Sequence, residues 1–409
     1  MNARVASTIR RHSLAWLVAG NAVGVLLAVL LLLPELNDLL SPLTYGRWVP
    51  LHLDWQLYGW CALPLIGVLC HYYLPDDERA ATTARLSVWV WSAGLLFGGI
   101  SWLRGNVGGK LFLDWVGDDL NFWVFAGLVL WAGLVVQARR RPDVAWLAWV
   151  GLLALGVVPW LLYRAGSPNS YPAVNPHSGG ATGASLLGST LGVVAIFGLV
   201  PWLLRLSPAE QARRAWLEYG GAFLLATTLF AVINHGDASH HRPDQLLGIG
   251  SLVIWLPLVW RYARSFVWAP DSRRWLGAAF VWWCLLVLTG WLDFLPGISE
   301  RVKFTNVLVA HSHLAMAGMV TSLHLALLLN LAPARAPSRS FWVWQGGCAL
   351  HVVALLWIGW RESVEPGVLY VRGGTADLCY GLRLLGGLGM LAASMHWLVT
   401  LGRHENNAP

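Results

Sequence analysis

The chain has 409 residues, of which 56% are hydrophobic and 12% charged, where an ordinary soluble domain carries about 25% charged residues. That excludes a single soluble globule, and 27 Trp with a mean hydropathy of +0.55 exclude a disordered chain. The net charge of +7 sits in short arginine clusters between apolar runs and gives no support to a nucleic-acid partner. A membrane-spanning helix needs roughly 20 apolar residues, so the length holds about twelve spans with short connections and no separate soluble domain.

In chain order, residues 1–13 form a basic segment with no small-residue cleavage site after its apolar run, and are expected to be a cytosolic tail. Apolar runs follow at 14–36, 50–72, 85–103, 120–138, 143–163, 178–204, 215–236, 245–262, 274–294, 304–331, 341–360 and 377–402. Residues 14–402 thus read as one all-α membrane domain of about twelve helices, and 403–409 as a second cytosolic tail. With both termini inside, the inner loops receive Arg79, Arg85, Arg139 to Arg141, Arg205, Arg213, Arg214, Arg261, Arg264, Arg273, Arg274, Arg335 and Arg339. The outer loops receive Glu35, Asp38, Asp114, Asp118, Asp119, Asp293, Glu300, Glu362 and Glu365. This asymmetry satisfies the positive-inside rule and predicts a multi-pass protein of the inner (cytoplasmic) membrane, with lipid as its solvent. The five cysteines, Cys61, Cys70, Cys284, Cys348 and Cys379, form neither CxxC nor CxxCH and read as small core residues.

Titratable groups within spans are costly, so the 13 histidines are functional candidates. Helix parity sorts them. His52 opens the second span and His177 the sixth, both entering from the outer face. His240 and His241 close the seventh, which exits there, and His311 and His313 lie in the first turns of the tenth, which enters from there. Six imidazoles therefore share one depth. The i, i+2 spacing of His311 and His313 separates their side chains by about 200° on a helix, so one helix can serve two metals in two pockets. His177, His240 and His241 would make a three-nitrogen site with open positions, suited to iron or copper and able to bind a small diatomic molecule. His71, His324, His351 and His396 read instead as satisfied core histidines, and His12 and His404 as tail residues. His235 lies near the same depth as the six but on another face from His240.

Phe304-Thr305-Asn306 through Ala310-His311-Ser312-His313-Leu314 to Gly318, with Leu382-Arg383-Leu384-Leu385-Gly386-Gly387-Leu388 in the last span, resembles the catalytic subunit I of the heme-copper oxidase superfamily. The likeness is nearest to the cbb-type (C-family) cytochrome c oxidases and runs over all twelve spans. It implies two b-type hemes: one low-spin, between His52 and His313 as axial ligands, and one high-spin, with His311 as its proximal ligand. It also implies that Arg383 meets the heme propionates and that His177, His240 and His241 hold a second metal, copper in the oxidases and iron in the alternative. Asp114 stands where the family has a Glu that helps bind calcium. O2 would be reduced to water with electrons from a c-type cytochrome, a separate subunit or a soluble protein, because this chain has no CxxCH of its own.

The sequence departs from the pattern in three places. The seventh-helix Tyr of the cbb-type enzymes is replaced in its neighbourhood by Asn234 and His235. The Glu that nitric oxide reductases need four residues after the sixth-helix His is Ala181. The third departure is the Asn175-Pro176-His177 start of the sixth span and the short link from His241 through Arg242 and Pro243. Reduction of NO or another small nitrogen oxide, a non-catalytic diheme electron carrier or assembly protein, and a transporter are the competing readings. Tyr219, Thr227, Thr228 and Asn234 along the seventh span form a candidate proton file, against the alternative that the Thr hydroxyls bond to their own helix.

Overall fold

The computed structural model describes residues 2–167, 170, 172, 186–209, 212–232, 243–334, 337–365, 367–371 and 373–402. His177, Ala181, Asn234, His235, His240, His241 and His404 lie outside the described residues. The long helices are α1 (Ala3–Leu32), α2 (Tyr45–Tyr73), α3 (Glu78–Leu103), α4 (Gly117–Ala138), α5 (Trp146–Gly166), α6 (Leu186–Leu203), α7 (Ala212–Val232), α8 (Leu246–Arg264), α9 (Pro270–Leu292), α10 (Asn306–Leu331), α11 (Ser338–Val364) and α12 (Thr375–Gly402). Eleven of these are long and apolar enough to cross a bilayer; α6, apolar over Leu191–Leu203, is shorter and stands where the sixth span is expected. Among the described residues no β-strand forms. All five cysteines are free and four are buried, as a core role requires.

The segment expected to be a separate tail is the first part of α1. The Asn2 side chain caps the helix by accepting from the Arg4 backbone N–H at 2.9 Å. Val5 and Ile9 are already buried, and the Arg10 Nη1 donates to the Ala332 carbonyl. The basic residues there follow the helical period and leave an apolar face, so the helix simply begins early. His12 belongs to this extension, with its Nδ1 2.7 Å from the Ser92 hydroxyl.

Enclosure differs sharply along the chain. In α10, 72% of the hydrophobic window is buried within the protein, against 17% in α5 and α7, whose exposed Trp and Leu side chains are suited to lipid. Helix α10 packs on α9 and α11, while α1 packs on both α2 and α12. The α11–α12 pair meets through glycines: a Cβ on Gly386 would lie 2.6 Å from the Gly347 carbonyl oxygen, so only hydrogen fits where the two backbones cross. This close approach accounts for the Gly386-Gly387 pair that follows Arg383.

Two helices are interrupted by π-helix, over Trp55–Cys61 in α2 and Leu314–Val320 in α10. Each segment begins within three residues of a histidine, His52 or His313. Such segments concentrate at functional sites because they displace the i→i−4 ladder and re-aim side chains. The two joints are tied across the bundle. Trp60 Nε1 donates to Thr321 Oγ1 at 2.9 Å, and Trp344 Nε1 of α11 donates to the Ala317 carbonyl at 2.9 Å, inside the π segment.

Candidate functional site

The start of α10 is built by the residues of its sequence signature. Thr305 is the N-cap, its hydroxyl accepting from Val307 N–H at 3.2 Å. Asn306 gives both its backbone N–H and its side-chain amide to the Glu362 carboxylate, at 2.7 and 2.8 Å. The helix is thereby pinned to the end of α11, with its histidines set one to two turns deeper. His311 and His313 then point to different helices, as their spacing predicts.

His313 meets His52. Their ring centroids are 6.4 Å apart and their planes differ by 24°. His52 Nδ1 lies 2.9 Å from the Gly20 carbonyl oxygen and His313 Nδ1 lies 2.8 Å from that of Val309. A carbonyl only accepts, so each Nδ1 carries the proton and each Nε2 keeps its lone pair. Neither Nε2 has a hydrogen-bond partner among the described residues. Pinning one ring nitrogen to a carbonyl is the usual way a protein orients a ligating imidazole. Two metal–nitrogen bonds of about 2 Å each, plus the ring radii, sum to roughly 6 Å, close to the observed separation. Gly24 makes room for this arrangement, since a Cβ there would lie 2.7 Å from His52 Cε1.

Both rings open onto a cleft with an empty volume of about 830 Å³, within the range of roughly 300–1,000 Å³ of small-molecule and cofactor sites. Five helices wall it: α1 through Leu17, Asn21 and Gly24, α2 through His52 and Gln56, α10 through His313 and Met316, α11 through Trp344 and His351, and α12 through Arg383 and Met390. Arg383 is buried at 9% exposure, its Nε has no hydrogen-bond partner, and no carboxylate pairs with it among the described residues. A guanidinium buried in a bundle without a counter-ion is expensive. An anionic ligand in the cleft would offset that cost. The lone pairs, the ring spacing and the unpaired cation fit a heme whose carboxylates reach Arg383.

His311 faces α9. Its Nδ1 lies 3.1 Å from Thr289 Oγ1, whose own proton goes to the Leu285 carbonyl at 2.8 Å, so His311 donates from Nδ1 and again keeps Nε2 free. The Asp293 carboxylate stands 4.0 Å from the same nitrogen. A Cβ on Gly290 would lie 2.8 Å from His311 Cε1, so this ring too is seated against a glycine. The arrangement fits a second ligating imidazole, oriented by a hydroxyl instead of a carbonyl.

The remaining expected residues are placed as follows. His177, His240 and His241 fall outside the described residues. Asp114 is not a solvated loop acid: it is 5% exposed, its Oδ1 accepts from Gly109 N–H at 3.1 Å, and burial pushes its carboxyl up to about 6. Its backbone N–H faces the Asp54 carboxylate at 3.4 Å, and Asp54, fully buried two residues after His52, leaves Oδ1 without a partner. Among the described residues no three His, Cys, Asp or Glu side chains converge on a metal-sized position.

The candidate proton file does not form. Thr227 and Thr228 donate to the Phe223 and Leu224 carbonyls of their own helix, at 2.8 and 2.9 Å, on the exposed face of α7. Tyr219 instead donates to the Val194 carbonyl of α6. A hydroxyl on a lipid-facing helix has no neighbour but its own backbone, which explains the difference.

Sequence reasoning missed Asn21, Gln56 and the exposed lone pairs. Gln56 lies one turn after His52 and donates to Asn21 Oδ1 at 2.9 Å, while Asn21 donates to Ser394 at 3.1 Å, so a polar brace joins α1, α2 and α12 beside the cleft. The i, i+4 relation of His52 to Gln56 was the available signal. No protein-family model matches the chain, and a search of curated proteins returns no match.

Proposed function

We propose that the protein is a membrane-bound heme oxidoreductase with a heme-copper oxidase subunit I-like bundle. In this reading it reduces O2 with electrons from a c-type cytochrome on the outer face. The observation that carries this is the pair His52 and His313, each with Nδ1 held by a carbonyl and Nε2 bare, across a cleft that also holds the unpaired Arg383. When bound, a heme between the two imidazoles supplies one-electron storage and relay, and a second heme with a facing metal supplies a place for O2 to bind.

The chain's own residues do the rest. His52 and His313 fix the axial direction through their Nδ1 bonds. Arg383 neutralises carboxylate charge at low local dielectric, and Trp344, Met316 and Met390 exclude water. His311, seated by Thr289 and Gly290, would ligate the second heme on the opposite side of α10, with His177, His240 and His241 as holders of copper or iron.

The test is the optical and EPR spectrum of the reduced and oxidised purified protein, with and without CO, paired with metal analysis. A bis-imidazole low-spin heme that disappears in His52→Ala, together with a separate CO-sensitive heme, is the expected outcome. Retention of the low-spin signal in His52→Ala overturns the ligand assignment. O2 and NO consumption by the same reduced preparation decides the substrate.

A further inference from the structure

Of the histidines read as plain core residues, His351 is the one whose surroundings do not satisfy it. It is 6% exposed and lines the same cleft as His52 and His313. Its Nδ1 lies 3.0 Å from the Arg383 carbonyl oxygen, the bond expected of a core histidine. Its Nε2, buried, has no partner. With the proton fixed on Nδ1, that nitrogen is a bare acceptor. A carboxylate cannot satisfy it, because both groups accept. Protonation to make it a donor would place a second cation beside Arg383 in a dry site. What satisfies a buried imidazole lone pair is a donor hydrogen or a Lewis acid.

The neighbouring ring indicates which. His351 and His313 lie ring against ring, centroids 4.5 Å apart and planes tilted by 35°. The three imidazoles of the cleft thus share one construction: Nδ1 on a backbone carbonyl of Gly20, Val309 or Arg383, and Nε2 left bare. His313 Nε2 is open while His351 Nε2 is covered, so His351 stands behind His313. Its carbonyl partner is held in place by the Gly347–Gly386 crossing, which leaves no slack between α11 and α12.

We propose that His351 is an alternate axial ligand, able to take up the iron on the His313 side when His313 is displaced or absent. The site would then have two possible ligand sets, His52 with His313 and His52 with His351. This inference rests on the heme reading above. It concerns which imidazole binds and does not depend on the substrate.

The test compares EPR and optical spectra of the wild type, H351A, H313A and H313A/H351A in the full-length purified protein. Expected are an intact low-spin signal in H351A, a retained low-spin signal with altered g-values in H313A, and loss of that signal to a high-spin form or to heme-free protein in the double variant. A high-spin H313A overturns the proposal, as does a low-spin signal that persists unchanged in H313A/H351A. Should H313A fail to accumulate, H313Q keeps most of the side-chain volume and is read in the same way, alone and with H351A. A wild type without any low-spin heme overturns the heme reading itself. A wild type with that signal, lost completely in H313A, overturns only the role of His351.

Discussion

Arg383 is the residue whose energetics demand most from outside the chain. A cation in the bundle interior normally faces a carboxylate, and among the described residues none is present. If a heme carboxylate fills that role, Arg383→Gln should lower the midpoint potential of the low-spin heme, because a lost positive charge favours the ferric state. The same variant should retain less heme after detergent washing. A redox titration with an unchanged midpoint would argue that the guanidinium faces something else. The glycines work at the same scale: Gly24 and Gly290 are small because an imidazole edge lies where their Cβ would be, and a substitution there overpacks the ligand at a cost of about 1–3 kcal/mol.

At the scale of single helices, the chain's boundaries and its histidine depths were legible because a polar ring in an apolar run has few explanations and helix parity is fixed by counting. The opposite facing of His311 and His313 followed from their spacing alone. The π segments were not legible: Trp55–Cys61 and Leu314–Val320 differ from α-helix only in which carbonyl each N–H reaches, and that is settled by partners such as Thr321 and Trp344 on other helices. Nor was the bare nitrogen of His351 legible, since its fixed partner is a backbone carbonyl with no sequence signature. The outward Thr227 and Thr228 show the limit of reading a polar file along one helix without knowing which face meets lipid. Connections are better determined by charge. Asp143, between α4 and α5, accepts from Arg141 beside it and from Arg205 at the end of α6, and Arg141 also reaches the His71 and Leu74 carbonyls. The guanidiniums of Arg205 and Arg141 hold the Asp143 carboxyl down to about 2. A depressed carboxyl stabilises the fold above its unfolded value near 3.8 and loses that contribution as pH falls toward 2. Thermal unfolding in detergent should therefore show a small loss between those values that Asp143→Asn removes. Because the carboxylate is half exposed, the loss should shrink in high salt.

Across the whole molecule, charge and cleft are placed at opposite ends. The arginine clusters terminate the helices at one end, and the His52–His313 pair and the Glu362 anchor of α10 lie toward the other. Reporter fusions just after Arg205 and after Gly402 should both score as cytoplasmic, and one after Glu365 as external; any reversal would overturn the orientation drawn from the arginines. The cleft is also distributed unevenly over the chain, since its five walls come from α1 and α2 and from α10 to α12. Arg11 Nε donates to the Gly402 carbonyl at 2.8 Å, so the first helix and the last are fastened together where the chain begins and ends. During synthesis the opening helices must therefore wait, with His52 already placed, while seven further spans enter the bilayer and the partner helices are made. A cofactor cannot be enclosed until the final wall docks, which makes loading a late event in biogenesis, and makes the seam between α1 and α12 the door through which it would pass.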